Sequence, residues 1–563
     1  MTTTVTSHPG LVLIVCAALL PVTRGRVRSA IALGAPLGAL CLAWVAPEGR
    51  LLTVSWLGME LAPFAVDRLS RLFALIFSLM AFAGALFALN QQRRLELPAA
   101  FLYAGAAIGV ALAGDLVTVF VFWEVMAIGS TLVLWSSATP AAYRASMRYL
   151  MVHLFGGMLL FAGVAGHVLQ TGSTAFSALA LSSAWEGLIL AAFLINAAAW
   201  PMSAWLPDAY PEASWSGMVF LSAFTTKTAV YVLLRGFPGV ELLVYLGLAM
   251  VFYGIVYALL ENDMRRILAY SIVNQVGFMV TGIGIGTEMA LNGAAAHAFA
   301  HILYKALLLM SAGSVLLMTG RRKCTDLGGL FRSMPLTAAC GIVGALAISA
   351  FPLTSGFVSK SMISQAAGDE HLFAVWLLLA AASAGVFLHA GIKFPWFVFF
   401  QKDSGLRPPE PPWNMRAAML LVSALCIGLG VVYEPLYRLL PYPVSYQPYT
   451  AFHVVAQLQL LLFSGLAFFL MLGWLKRTLT ITLDTDWLYR VLLSCLAGGA
   501  TSLGLRASAA CAGLLQRVAG ALEQPVRALL GVEGLFARTW ASGSMAFGMM
   551  LFLFALLLAY YAF

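Results

Sequence analysis

Apolar runs long enough to cross a bilayer recur from one end of this chain to the other, and nothing else in the sequence restricts its fold as strongly. About 20 such residues in a helix span roughly 30 Å of hydrocarbon. Because no water inside that layer can bond a backbone N–H or carbonyl, only helices and closed barrels cross it. Runs of this length exceed a barrel strand, so the sequence predicts an all-α polytopic membrane protein. Composition agrees, at 61% hydrophobic and 10% charged residues.

The spans fall near 9–22, 28–46, 69–90, 99–113, 115–136, 147–168, 186–207, 216–235, 241–261, 267–286, 291–318, 335–366, 372–400, 415–434, 453–474 and 545–562, about sixteen in all. The first run has no basic residue before it and three after it, the reverse of a secretory signal peptide, and reads as the first span. Basic residues gather between runs: Arg24, Arg26 and Arg28, then Arg93 and Arg94, Arg144 and Arg148, Arg265 and Arg266, and Arg321, Arg322 and Lys323. These groups fall on one side when the spans are counted through, which predicts an N-terminus outside and the basic loops inside a prokaryotic cytoplasmic membrane. The net charge of +9 therefore sets membrane orientation, and a nucleic-acid partner is excluded by its placement. The seven cysteines, Cys16, Cys41, Cys324, Cys340, Cys426, Cys495 and Cys511, form no CxxC or Cys/His cluster, so no metal or redox cofactor is expected in the chain.

Against this background the stretch HAFAHILYK stands out. His297, His301 and Lys305 follow at i, i+4 and i+8, one helix face climbing about 12 Å. Ionisable residues inside a span are costly and mark ion or proton pathways. Lys305 lies too far from either end of its run to reach an interface by snorkelling. Glu124 and Lys227 are similarly mid-span in VFVFWEVMAIGSTLVLW and LSAFTTKTAVYVLLR, and opposite charge makes them natural partners. His389 and Lys393, again i and i+4, are secondary candidates for the outer end of such a path. Asp208 and Glu212 sit beside prolines at an expected membrane face, where solvated loop chemistry is the simpler account, with Asp208 kept as a secondary candidate. His153 and His167, fourteen residues apart on one span, read as ordinary polar packing.

Two spans carry internal proline. The seventh reads INAAAWPMSAWLPDAYPEAS with Pro201, and the twelfth reads ISAFPLTSGFVSKSMI with Pro352 and Lys360. Proline removes a backbone bond and clashes with the preceding turn, so each helix should break. Broken helices at membrane depth line cavities, and a pair five spans apart points to inverted repeats with an ion path between them. The expected organisation is 1–98 for the N-terminal helices, 99–236 and 241–400 for the two repeats, 401–474 for the remaining core helices, and 475–563 for an extension. In that extension a polar loop holds Asp484, Asp486 and Trp487. Arg506, Arg517, Arg527 and Arg538 then recur at nearly three-turn spacing, as in a helix lying along the interface before a terminal anchor. Pro525 and Gly498–Gly499 argue against one unbroken rod, and leave room for a short span near 491–505.

The runs GDLVTVFVFWEVMAIGSTLVLW, WLPDAYPEA, FTTKTAVYVLLR, ENDMRRILAYSIVNQVGF, HAFAHILYKALLLMSAG and GFVSKSMI, in this order, resemble the antiporter-like proton-translocating subunits of Mrp-type sodium/proton antiporters, membrane-bound hydrogenases and the membrane arm of complex I. The resemblance covers roughly residues 60–400, and DAYPEAS with FTTKTAVY is most similar to the D subunit of Mrp antiporters. It implies a 14-helix core with inverted five-helix repeats and two broken helices, and a C-terminal layout similar to the lateral helix and anchor of the largest such subunit of complex I. It further implies a proton relay in which Glu124 and Lys227 pair, His297, His301 and Lys305 form the central axis, and Lys360 serves the second broken helix. The path would run from a Glu124/Lys227 pair to His301, His297 and Lys305, and out through Lys360. The family lysine five residues before Pro201 is here Asn196, which cannot carry a proton as a cation does. The implied function is that of a proton-translocating subunit of a cation/proton antiporter exchanging sodium, with other membrane subunits as partners and no catalytic chemistry of its own. The alternatives are a pumping subunit of a complex I-like oxidoreductase or hydrogenase, and a proton-flux module for inorganic-carbon uptake.

Overall fold

A computed structural model of the chain describes residues 7–474, 484–537 and 539–562. It divides into two units, residues 1–486 and 487–563. The first unit opens with α1 (Pro9–Leu19) and α2 (Gly25–Val45). An antiparallel hairpin of β1 (Gly49–Trp56) and β2 (Met59–Val66) follows. This hairpin is a local addition to a helical membrane fold: Leu57 and Gly58 both have positive φ, which suits the two-residue turn whose twist matches paired strands.

The helices of the first half are α3 (Arg68–Phe87), α4 (Glu96–Ala111), α5 (Leu116–Trp135), α6 (Pro140–Thr171), α7 (Ala184–Asn196), the short α8 (Trp205–Ala209), α9 (Gly217–Ala223) and α10 (Thr225–Gly236). Those of the second are α11 (Leu242–Leu260), α12 (Met264–Ile285), α13 (Glu288–Thr319), α14 (Pro335–Ile348), α15 (Ser355–Asp369) and α16 (Phe373–Val386). The last of these runs on through π-helical turns to Phe400. The unit closes with α17 (Trp413–Val431), α18 (Glu434–Arg438) and α19 (Ala451–Leu470). Among the described residues thirteen helical stretches, with α9 and α10 taken together and α16 taken through Phe400, are long and apolar enough to cross a membrane, where the sequence predicts about sixteen spans. Four shorter apolar helices, α1, α4, α7 and α14, accompany them, of which α7 and α14 end at the two proline-bearing breaks.

The two proline-bearing spans break where their freed carbonyls find side chains. After Asn196 the backbone leaves the helix through Ala197–Met202; Trp205 Nε1 donates to Ile195 O at 3.0 Å and Ser203 Oγ to Ala198 O at 2.7 Å. Between α14 and α15, Gln457 Nε2 donates to Ser349 O at 3.2 Å, and Leu353 N donates to Tyr449 Oη at the same distance. Such replacement partners are what permit a break away from water. A third break, at Phe224 between α9 and α10, has no proline or glycine to announce it. Tyr103 fills it: its hydroxyl accepts from Thr225 N at 2.7 Å and donates to Leu221 O at 3.3 Å.

In the second unit α20 (Leu493–Leu530) is one continuous helix of 38 residues, about 57 Å at 1.5 Å per residue. Pro525 lies inside it and Gly498–Gly499 do not interrupt it, which corrects the expected discontinuity. An exposed helix can tolerate both, since the bond lost at Pro525 leaves only a carbonyl open to its surroundings. Arg506, Arg517 and Arg527 lie on it, whereas Arg538 lies outside the described residues. α21 (Ser542–Ala562) completes the unit.

Candidate functional site

Helix α13 passes through the middle of the first unit, and every residue from Ala290 to Val315 is buried. Its apolar neighbours have no charge of their own to offer, so His297, His301 and Lys305 must be served by polar side chains from adjacent helices. The structure supplies these unevenly. Lys305 Nζ donates to Ser271 Oγ of α12 at 2.8 Å and reaches Leu268 O at 3.4 Å. The His297 ring bridges two helices, with Nε2 3.1 Å from Gln275 Oε1 on α12 and Nδ1 3.1 Å from Ser359 Oγ on α15. Tyr304 Oη donates to the same Gln275 oxygen at 3.1 Å. His301, wholly buried, has no hydrogen-bond partner on either ring nitrogen among the described residues and stands edge-on to Tyr304 at 5.2 Å between ring centroids.

Lys227 enters this space from the Phe224 break. A helix interrupted there leaves Ser222 O without its usual backbone donor, and Lys227 Nζ takes it at 2.7 Å, with Thr226 Oγ1 at 3.0 Å. The lysine lies within electrostatic reach of Lys305, His301 and His297. At the other end of the histidine face, Lys360 follows Ser359 on α15 and lies within electrostatic reach of His297. Its Nζ sits 4.2 Å from the Phe278 ring centre with no hydrogen-bond partner, a cation–π geometry. A cavity of about 710 Å³ opens beside Lys360 and is also lined by Ser361, Gln365, Trp376, Tyr446 and His453.

The structure thus orders the column differently from the sequence expectation. Lys360 adjoins the His297 end and Lys305 stands at the opposite end, so Lys305 is not interposed between His297 and Lys360. Nor do Glu124 and Lys227 form an ion pair among the described residues. The Glu124 carboxylate instead packs on Gly157 of α6, so closely that an added Cβ would collide with Oε1, and that oxygen has no partner. Helix rotation decides this, and rotation about a helix axis is invisible in a list of mid-span charges. Asn196 is the last residue of α7, buried, with neither side-chain polar atom bonded.

The secondary candidates divide. Lys393 Nζ donates to Ala258 O, Leu259 O and Glu261 O at 3.0, 2.5 and 2.6 Å. All three ammonium hydrogens are used to cap the C-terminus of α11, where a cation also meets the negative end of the helix dipole. His389 Nδ1 donates to Gly385 O at 2.8 Å, and its Nε2 is buried without a partner, within electrostatic reach of Lys305 and Lys360. Asp208 holds Arg148 through two bonds, at 2.7 and 2.8 Å, a bidentate clamp between α6 and α8 in place of solvated loop chemistry. His167 pairs with Glu186 at 2.7 Å. Sequence reasoning missed the fixing residues: Ser271 and Gln275, one turn apart on α12, and Ser359 on α15 carry no charge to flag them.

A bundle of membrane-spanning helices, broken at depth and enclosing a column of buried lysines and histidines, defines a membrane ion-transport scaffold. The family model for the transmembrane region of NADH:quinone oxidoreductase and Mrp antiporter subunits matches residues 113–387 of the chain. It is 29% identical over 424 residues to the D subunit of the Na(+)/H(+) antiporter of Alkalihalophilus pseudofirmus, a match covering 69% of this chain and 84% of the relative. The fold is similar to a chain of the Mrp complex from Dietzia sp. DQ12-45-1b, with a TM-score of 0.65, 23% identity and coverage of 77% of this chain and 91% of that one. It is also similar to a chain of respiratory complex I from Thermus thermophilus, with a TM-score of 0.69, 24% identity and coverage of 80% and 99%. Both structures are multisubunit membrane assemblies.

Proposed function

We propose that this chain is the proton-translocating subunit of a multisubunit cation/proton antiporter of the Mrp type, sited in a prokaryotic cytoplasmic membrane with its N-terminus outside. The observation that carries the reading is the buried column itself: Lys227, His301, His297, Lys305 and Lys360 lie within electrostatic reach of their neighbours in a dry helical core. Ionisable groups so placed are costly to maintain and serve ion or proton movement. Protons enter toward Glu124, reach Lys227 at the Phe224 break, pass along the His301–His297 face with Lys305 as its charged end, and leave at Lys360 through the adjoining cavity. Like charges repel strongly in a low-dielectric surrounding, so loading one lysine discourages loading the next. That repulsion moves the proton onward and couples it to sodium movement in a partner subunit. The inverted repeats 99–236 and 241–400 provide the two half-paths.

The reading is supported by the sodium/proton antiporter relative. It is tested by adding sodium to everted vesicles holding the assembled complex under an imposed pH gradient. Dissipation of the gradient by sodium supports it, and no response to sodium or any other monovalent cation contradicts it.

A second reading, the pumping subunit of a redox-driven complex, is favoured by one observation. α20 is about 57 Å long, nearly twice the bilayer core, and is followed by the spanning-length α21, the layout expected of a bracing lateral helix with its anchor. Co-purification separates the two readings: only small membrane proteins accompany the antiporter, whereas hydrophilic redox subunits accompany the pump.

A further inference from the structure

We propose that His153 carries the proton between Glu124 and the Lys227 end of the column, serving the place where Asn196 offers no cation. The inference rests on the proton-relay reading and adds to it a residue on α6.

The placement comes from one helix face. His153, Gly156 and Gly157 follow at i, i+3 and i+4 on α6. Gly157 lies directly against the Glu124 carboxylate of α5, and a Cβ on Gly156 would lie 3.7 Å from Asn196 Oδ1 at the end of α7. The two glycines therefore make a bare strip of helix between the carboxylate and the break in α7. His153 shares that face one turn nearer the start of α6, its ring laid over Tyr149.

Orphaned atoms gather around α6. Glu124 Oε1, His153 Nε2, both Asn196 amide atoms and Tyr210 Oη are buried without a hydrogen-bond partner. His153 and Asn196 are each only 1% exposed. Buried polar atoms are normally bonded, and each dry orphan costs about 1–3 kcal/mol. Orphans so grouped are satisfied by exchangeable water, the medium a proton crosses.

The ring itself is set for transfer at a single atom. Nδ1 lies 3.0 Å from Tyr149 O, and a carbonyl only accepts, so the Nδ1 proton is held there. Nε2 then carries the lone pair; it takes a proton arriving by water from the Glu124 side and passes it on toward the Lys227 side, with Nδ1–H unchanged throughout. Stacking on Tyr149 at 3.9 Å and an edge contact with Trp205 at 4.6 Å hold the ring plane. Onward from Tyr149, its hydroxyl donates to Ser130 Oγ at 2.9 Å and meets Thr225 Oγ1 at 3.3 Å. Thr225 opens α10 at the Phe224 break, and the next residue, Thr226, accepts from Lys227 Nζ. Hydroxyls thus stand between the His153 stack and the lysine, and water would complete the two steps they leave open, from the His153 ring to Tyr149 Oη and from Thr225 to Thr226. Besides Glu124 and the tyrosines 103, 149 and 210, the titratable and charged groups on α6 and the elements packed against it are Arg144, the Arg148–Asp208 pair, the His167–Glu186 pair and Glu212, which pairs with Arg322.

The test compares four forms of the complex in the vesicle assay: the natural chain, Lys305→Ala, His153→Gln, and His153→Gln combined with Asn196→Lys, each checked for assembly by co-purification. Glutamine keeps a donor for Tyr149 O but cannot be charged, and a lysine at 196 places a cation beside Gly156 on the same face of α6. The expected result is a loss of transport of at least about ten-fold for His153→Gln, the lower end of what one proton-transfer group contributes, with recovery in the double variant. Full transport by assembled His153→Gln while Lys305→Ala is inactive overturns the inference and leaves the relay reading standing. Loss without recovery by Asn196→Lys overturns it as well, because His153 would then act through packing. Full transport by Lys305→Ala removes the relay reading on which the inference depends.

Discussion

Lys305 on α13 donates to Ser271 on α12 at 2.8 Å and, among the described residues, forms no ion pair. The hydroxyl therefore fixes where the Lys305 ammonium sits within the column without neutralising its charge. Ser271→Ala leaves Lys305 only Leu268 O at 3.4 Å. Hydrogen bonds to charged groups contribute about 1.5–3 kcal/mol, so this variant should assemble normally and transport roughly ten-fold more slowly. Unchanged rates in vesicles from Ser271→Ala would show that the hydroxyl does not serve the lysine.

Lys393 is predicted to act on stability and not on transport. Its three bonds to Ala258, Leu259 and Glu261 carbonyls close the end of α11. Lys393→Met keeps the stem and removes the cap, which should cost about 3 kcal/mol and lower the thermal midpoint of the purified complex. Transport per assembled complex at moderate temperature should stay near that of the natural chain. A loss of transport with an unaltered midpoint would return Lys393 to the relay.

The break in the twelfth span depends on glycine at one position. A Cβ on Gly356 would overlap Ala347 O, the carbonyl of α14 against which α15 begins. Gly356→Ala should therefore destabilise the subunit by at least about 1–3 kcal/mol, seen as reduced assembly. Gly428, inside α17 with nothing within 4 Å of an added Cβ, is the control; Gly428→Ala should be neutral or stabilising by about 0.5–1 kcal/mol. Equal yields of the two variants would contradict the packing described for the break.

Asp208 and Arg148 are predicted to fasten α8 to α6. Asp208→Asn keeps the shape but not the bidentate charge pairing of a nearly buried carboxylate, so it should lower thermal stability by about 1–3 kcal/mol. Charge-reversed Arg148→Asp with Asp208→Arg should recover part of that loss. No recovery would mean that the two side chains do not act as a pair.

Chain direction and local chemistry are legible in the sequence. Run length and the absence of water in a bilayer dictate the helices, Pro201 and Pro352 mark two breaks, and i, i+4, i+8 spacing places His297, His301 and Lys305 on one face. The way helices turn toward one another is hidden. Glu124 and Lys227 are both mid-span, yet α5 presents its carboxylate to Gly157 and α10 presents its lysine to Ser222 O. Lys393 looks like a relay group until the end of α11 is brought against it. The break at Phe224 leaves no trace because it is stabilised from outside, by the hydroxyl of Tyr103, some 120 residues earlier in the chain. α20 misleads in the opposite direction: Pro525 and two glycines suggest an interruption, and the helix continues through all three.

Proton passage through the column depends most directly on Lys305. In everted vesicles holding the assembled complex with Lys305→Ala, the sodium-driven collapse of an imposed pH gradient should be absent, while co-purification shows the partner subunits still in place. Collapse at the rate of the natural complex, with Lys305 replaced and assembly intact, would contradict it.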